Sequence, residues 1–361
     1  MIPLQLKIEP LPIVEPLVAR LVLSPKAGDP SDAVLVAQRA GTADFDVGGF
    51  SLRVHTQDPA SLDGDVVLAI PGRRTIHRLI RASSAHNTFL VTEQCDQLCV
   101  MCSQPPKRYH TDMFDQFLEA VRLAPSKATI GLSGGEPLLH KERLFGFLTN
   151  AQRIRPDLRF HILTNGQHIF AEDEASLHAL DMSSILWGIP IYAAHAEVHD
   201  RIVGKIGAFD LLQNNLARLG RVGAAIELRT VVLQSNIGHL EQLADHVTLH
   251  QPFAQVWAIM QLENIGYARM NWDAEFSDTS KNFDDIALAL DISLGRGLPT
   301  SLYNFPLCTV PDNYRRYCVA SISDWKQKFL ATCDGCAIRS ACTGFFEWYP
   351  EKRGFRKIVS Q

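Results

Sequence analysis

The rhythm of apolar and polar positions changes once along this 361-residue chain, near residue 86. Before it, short runs such as "QLKIEPL", "AVLVAQR", "FSLRVHT" and "DVVLAIPG" alternate and are cut by Gly, Pro and Asp. That texture predicts a small β-rich domain over residues 1–85. After it, six apolar runs stand at strand length: "NTFLVT" (87–92), "ATIGL" (128–132), "RFHIL" (159–163), "ILWGIPI" (185–191), "IELRTVVL" (226–233) and "QVWAIM" (255–260). Helical periods fill the gaps. In "DMFDQFLEAVRLA", Asp112 is placed to cap a helix whose apolar face is Phe114, Phe117, Leu118 and Val121. "AFDLLQNNLARLG" and "IGHLEQLADHVTLH" repeat the scheme, with Gly220 and Gly223 expected to end the former. Strand and helix in alternation predict an α/β domain over 86–300 with a parallel sheet, doubly wound or curled into a barrel. Its site belongs at the carboxyl ends of the strands. After "IALALDISLGRG" the periodicity fades, and 301–361 reads as an irregular, cysteine-bearing extension that needs a staple more than a core.

Composition adds little to this division. With 46% hydrophobic and 20% charged residues and a net charge of −4, the chain has the balance of a soluble globular protein. It carries no overall electrostatic footprint for nucleic acid or an anionic membrane, so neither is an expected partner. The opening "MIPLQLKIEPLPIVEPLVARLVL" is broken by charges and prolines and offers neither a signal-peptide core nor a membrane span. A cytoplasmic location is expected, and there eight cysteines are metal ligands sooner than disulfides.

Three of the eight crowd into "TEQCDQLCVMCSQPP": Cys95, Cys99 and Cys102, in C-x3-C-x2-C spacing at the end of the first long strand. A closed zinc site takes four ligands, whereas a [4Fe–4S] cluster held by three thiolates keeps one iron open. His110 or His140 would have to complete a zinc site. One βα unit later "SGGEP" leaves the second strand, with Gly134 and Gly135 allowing close backbone approach and Glu136 available to an amino group. Neighbouring strands bring the two loops together.

"CDQLCVMC" followed by "SGGEP" within six βα units resembles the radical S-adenosylmethionine (SAM) superfamily. The resemblance implies a partial (β/α)6 barrel in which Cys95, Cys99 and Cys102 hold a [4Fe–4S] cluster. It also implies that Gly134, Gly135 and Glu136 bind the methionine part of SAM. Met101 stands where the family usually has an aromatic residue against the adenine, a role a thioether can share. Peptide-modifying relatives carry S-L-D-G…H-D-x-x-R near the fourth strand. In "IPIYAAHAEVHDRIVG", His199 and Asp200 match, while Ile191 and Val203 replace the serine and arginine. Arg201, Arg229 or Asn165, in "LTNG", is left to supply those contacts.

The remaining cysteines, Cys308, Cys318, Cys333, Cys336 and Cys342, lie near the C-terminus. C-x2-C-x5-C with an upstream cysteine gives four thiolates, Cys308, Cys333, Cys336 and Cys342, with Cys318 set aside as a buried hydrophobe on a helix. The segment is similar to the SPASM or twitch extensions of radical SAM peptide maturases and implies one auxiliary [4Fe–4S] cluster. More narrowly, the motifs look similar to the maturases of the His-Xaa-Ser peptide system. The implied partners are a ribosomally made precursor peptide, a second paired radical SAM protein and an electron donor of flavodoxin or ferredoxin type. Two other readings stay open: a radical SAM enzyme of small molecules, and a non-catalytic iron–sulfur or zinc protein. "HAEVH" and "HVTLH" pair histidines at i and i+4 without the zinc-protease glutamate, and surface or capping roles are expected.

Overall fold

A computed structural model of the chain describes residues 2–24 and 28–361. The β-rich start folds as seven strands: β1 (Gln5–Lys7), β2 (Leu17–Val22), β3 (Asp32–Arg39), β4 (Thr42–Val47), β5 (Phe50–His55), β6 (Val66–Ala69) and β7 (Thr75–Ile80). Their order is β1-β7-β6-β2-β3-β4-β5, and an antiparallel bridge between Ile8 and Val54 joins the two outer strands, so the sheet closes on itself. Inside lies a separate apolar core of Leu21, Phe45, Leu52, Val54 and Ile76.

The second sheet is parallel throughout: β8 (Asn87–Thr92), β9 (Thr129–Gly134), β10 (Arg159–Leu163), β11 (Ile185–Pro190), β12 (Ala225–Val231), β13 (Val256–Met260), β14 (Thr300–Tyr303) and β15 (Cys318–Val319). Its strand order follows the chain, the topology of a partial TIM-type barrel. The six expected strands are β8 to β13. β14 and β15 come from the stretch where the pattern fades, because four- and two-residue strands carry too few positions to show a period. Cys318 therefore opens a short edge strand rather than lying on a helix.

Nine α-helices are described: α1 (Phe114–Leu123), α2 (Lys141–Ile154), α3 (Glu174–His178), α4 (Ala196–Val203), α5 (Ala208–Arg221), α6 (Leu240–His250), α7 (Tyr267–Met270), α8 (Trp272–Glu275) and α9 (Asp284–Gly295). The N-cap position of α1 falls on Met113, one residue after the expected Asp112, whose carboxylate still accepts from the first helical N–H, that of Phe114, at 3.0 Å. Gly220 lies inside α5 rather than ending it, and the left-handed turn falls on Gly223 (φ +72°). The helices cover the outward side chains of the strands: Ile130, Leu132, Phe160, Ile162, Trp187, Ile226, Leu228, Trp257 and Ile259 are all buried there. This two-sided burial is why the strands read as nearly continuous apolar runs.

In the extension, β16 (Gln327–Lys328) pairs antiparallel with β17 (Phe345–Phe346). A small core of Leu330, Phe345, Tyr349 and Phe355 supports it. A long-range ion pair ties it to the segment between β7 and β8. Arg81, almost wholly buried, donates two hydrogen bonds to the Asp324 carboxylate at 2.7 and 2.6 Å.

Candidate radical site at the barrel mouth

The loop after β8 carries Cys95, Cys99 and Cys102, all free and half-buried. Backbone hydrogen bonds from both sides fix it. Leu98 and Val100 N–H groups donate to the carbonyls of Val203 and Ile202 at the end of α4, at 3.0 and 2.9 Å. On the other flank Tyr267 N–H donates to the Cys102 carbonyl (2.8 Å), and Asn271 Nδ2 to the Val100 carbonyl (2.8 Å). Gly266 (φ +58°) makes the second approach possible, because a Cβ there would fall 2.4 Å from the Cys102 oxygen.

Burial raises all three thiols above their ordinary range, Cys95 to about 11. Charge on the neighbouring cysteines adds to the rise for Cys95 and Cys99. Burial keeps these thiols neutral on their own, and a cationic group bound beside them would reverse that balance. The histidines that a zinc site would need are engaged with each other. His110 and His140 stack at 3.7 Å between centroids, with Nδ1 of His110 3.1 Å from Thr92 Oγ1 and Nε2 of His140 3.1 Å from Gln94 Oε1. Among the described residues, no three His, Cys, Asp or Glu side chains gather around a single ion.

The "SGGEP" turn lies against this loop so tightly that no side chain fits. A Cβ on Gly134 (φ +142°) would stand 2.0 Å from the Thr92 oxygen, and one on Gly135 2.0 Å from the Gln94 oxygen. Gly135 and Glu136 donate their N–H groups to those same carbonyls at 2.8 and 2.7 Å, so these donors are spent inside the fold. Glu136 is fully buried, with burial pushing its carboxyl up, and it accepts from Thr164 Oγ1 (2.6 Å), Asn165 N–H (2.5 Å) and Leu138 N–H (2.8 Å). The carboxylate thus ties the end of β9 to the loop after β10. Asn165 continues the chain of bonds, its Nδ2 donating to Asp96 Oδ1 at 3.0 Å. Asp96 also pairs with Lys205 and stands 3.2 Å from His168 Nε2. Burial works against its charge, yet these two neighbours hold the carboxyl well below the usual range.

Met101 is buried with Tyr192, Val198, Ile202, Leu262 and Trp272, where it anchors the loop in an apolar cluster. Arg201 is exposed on α4, whereas Arg229 points into the barrel and pairs with Glu227. The lumen has a layered order. Inward positions on alternate strands are small, Gly131, Gly188 and Ala258, and between them stand Thr88, His161, Glu227, Arg229 and Tyr303. A Cβ on Gly188 would lie 2.8 Å from His161 Nε2 and 3.2 Å from Arg229 Cδ. Glu227 accepts from Tyr303 Oη at 3.3 Å and lies 3.4 Å from His161 Nε2. Burial alone would raise its carboxyl, but His161 and Arg229 bring it down to about 2. Of this polar layer the sequence singled out only Arg229, although "IELRTVVL" shows Glu227 and Arg229 as two charges at period two inside an apolar run.

The four assigned C-terminal thiols, Cys308, Cys333, Cys336 and Cys342, line one pocket closed by Leu307, Phe345 and Val359. Cys342 Sγ accepts from the N–H groups of Leu307 (3.3 Å) and Gly344 (3.4 Å). Backbone donors at Gln361 and Ile338 lower the Cys336 thiol, while burial lifts Cys308 to about 11. Cys318 is lifted to about 12 by burial and by nearby Cys342. The histidine pairs meet around Phe209, which lies 5.6 Å from both His199 and His246. His199 is a buried neutral acceptor for the Tyr192 N–H at 3.3 Å.

The parallel strands thus carry a thiol-bearing loop at the barrel mouth with a glycine turn locked against it. The Radical SAM superfamily model matches residues 89–247, the stretch that carries the thiol loop and the glycine turn. The chain is 22% identical over 201 residues to the antilisterial bacteriocin subtilosin biosynthesis protein AlbA of Bacillus subtilis (strain 168), covering 52% of this chain and 43% of that one. It is 28% identical over 155 residues to the AdoMet-dependent heme synthase of Methanosarcina barkeri, covering 41% and 42%. The chain therefore spans less than half the length of these curated relatives. A solved structure of Streptococcus suis SuiB bound to S-adenosylmethionine superposes with a TM-score of 0.48 at 14% identity, over 60% of this chain and 49% of that one. No described helix is long and apolar enough to cross a membrane.

Proposed function

We propose that the chain is a radical SAM enzyme that oxidatively modifies or cross-links a ribosomally made precursor peptide. The observation that carries the reading is the half-buried thiol triad at the end of β8, locked to the glycine turn of β9. In this reading Cys95, Cys99 and Cys102 hold a [4Fe–4S] cluster, and Gly134, Gly135, Glu136 and Asn165 shape the wall against which the methionine part of SAM lies. When bound and reduced, the pair supplies a 5′-deoxyadenosyl radical that takes a hydrogen atom from substrate. The chain's own part is to orient and to exclude water: the loop is braced from two sides, and the inward layer of His161, Glu227, Arg229 and Tyr303 gives the lumen polar groups that fix a substrate. Cys308, Cys333, Cys336 and Cys342 hold an auxiliary cluster, supported by their shared pocket and by the N–H donors aimed at sulfur.

A peptide substrate is supported by the likeness to a bacteriocin biosynthesis protein, and the motif resemblance alone extends the proposal to a His-Xaa-Ser type system with a second paired radical SAM protein. The likeness to a heme synthase favours a second reading, a small-molecule substrate for the same radical site. Anaerobic reconstitution followed by dithionite and SAM tests the common part. The expected result is about eight irons per chain and release of 5′-deoxyadenosine. A reduced, cluster-loaded protein that releases none would overturn it. Incubation with the products of neighbouring reading frames, read by mass spectrometry, separates peptide from small molecule.

A further inference from the structure

Residues 354–361 belong to no helix or strand, yet they are fastened along their length. The Trp272 indole donates to the Arg353 carbonyl at 2.9 Å, and Trp272 packs in the same apolar cluster as Met101 of the thiol loop. Phe355 N–H then donates to Tyr349 Oη at 2.6 Å, Arg356 N–H to Asp278 Oδ2 at 3.0 Å and Lys357 N–H to Ser280 Oγ at 3.1 Å. An irregular stretch keeps one course only where it is tied down. These ties lead it from the barrel to the C-terminal thiol pocket. Ile358 packs, like Cys308 and Cys333, against the small core of the extension, and Ile358, Val359 and Ser360 line the pocket. Beyond them the Gln361 carbonyl accepts the Ala337 N–H at 2.8 Å, next to Cys336.

Cys336 is the thiol this end reaches. It lies between exposed Gly335 and Ala337, and a backbone donor at Gln361, another at Ile338 and the Ser360 hydroxyl all act on its sulfur. Cys308, by contrast, is governed by burial. An iron–sulfur group is tuned by hydrogen bonds to its sulfurs and by solvent access, and at this corner the same few residues set both. We infer that residues 358–361 form a strap over the C-terminal thiol pocket, covering an iron–sulfur group at its Cys336 corner and donating hydrogen bonds to that sulfur. The inference rests on the reading of Cys308, Cys333, Cys336 and Cys342 as holders of an auxiliary cluster. Val359, Ser360 and Gln361 are positioning residues in it, because none of them is a ligand.

The test uses the full chain with Cys95, Cys99 and Cys102 changed to Ala, so that iron loads only at the C-terminal set. About four irons per chain are expected. Bathophenanthroline disulfonate then strips the iron, and the colour of its complex gives the rate. Deleting Val359, Ser360 and Gln361 leaves Ile358 in its core and should speed the loss about tenfold. Val359→Gly keeps the full length, removes only the side chain over the pocket and should speed it about threefold. Ser360→Ala keeps the cover and removes one donor, so the midpoint potential, read by EPR during a redox titration, should become more negative. Shortened and Val359→Gly chains that lose iron at the parent's rate, or a Ser360→Ala chain with the parent's potential, would sink the inference and leave the cluster assignment standing. A parent chain of this background that loads no C-terminal iron would instead remove the assignment beneath it.

Discussion

At the scale of single residues, the two buried glutamates of the barrel behave oppositely. Glu136 is held by three neutral donors, so replacing its carboxylate with an amide turns one acceptor into a donor facing N–H or O–H groups. Glu136→Gln should cost about 1–3 kcal/mol, read by chemical denaturation of the cluster-free chain. Glu227 has its folded pKa lowered to about 2. Its pairing therefore stabilises the fold fully above the ordinary value of 4.5, and the contribution fades as pH falls from there toward 2. Unfolding curves across that window should show the parent losing up to about 3 kcal/mol more than Glu227→Gln. At Gly135 the limit is space: Gly135→Ala puts a methyl 2.0 Å from the Gln94 oxygen. A backbone shift of the cluster loop should lower iron loading at that site by more than half, counted by iron analysis in a background lacking the four C-terminal cysteines.

At the scale of elements, the cluster loop and the extension hold independent thiol sets. Changing Cys95, Cys99 and Cys102 together to Ala should abolish 5′-deoxyadenosine release and leave the C-terminal iron in place, as iron counting and low-temperature EPR would show. How much of this was legible in sequence depends on the number of residues that carry each signal. Strands β8 and β10 were readable to the residue because each presents five or six apolar-rich positions ending in a turn. β15, two residues long, has no pattern to read. The thiol spacings were visible for the same reason that motifs are: the ligands sit close in sequence. The bonds joining Glu136, Thr164, Asn165 and Asp96 span up to 69 residues and exist only once parallel strands align their ends. Sequence offered Glu136 to a ligand's amino group, and folding had already assigned it to backbone and hydroxyl donors.

At the scale of the whole molecule, Arg81 and Asp324, 243 residues apart, fasten the extension to the segment that leads into β8. Arg81 is nearly sealed while Asp324 is half open to solvent. Asp324→Ala leaves a buried guanidinium with one partner fewer, and a double-mutant cycle with Arg81→Ala should return a coupling of about 1–2 kcal/mol.

The closed β-rich start has a consequence of its own for how a peptide could be gripped. With Ile8 bridged to Val54, the ring of β1 to β7 ends where it began. An extended guest adds to a sheet by hydrogen-bonding a vacant backbone row, and where Ile8 and Glu9 meet Arg53 and Val54 that row is already taken. A leader segment approaching that seam would be read there by side chains and loops, which makes recognition at the seam a matter of residue identity rather than of backbone pairing.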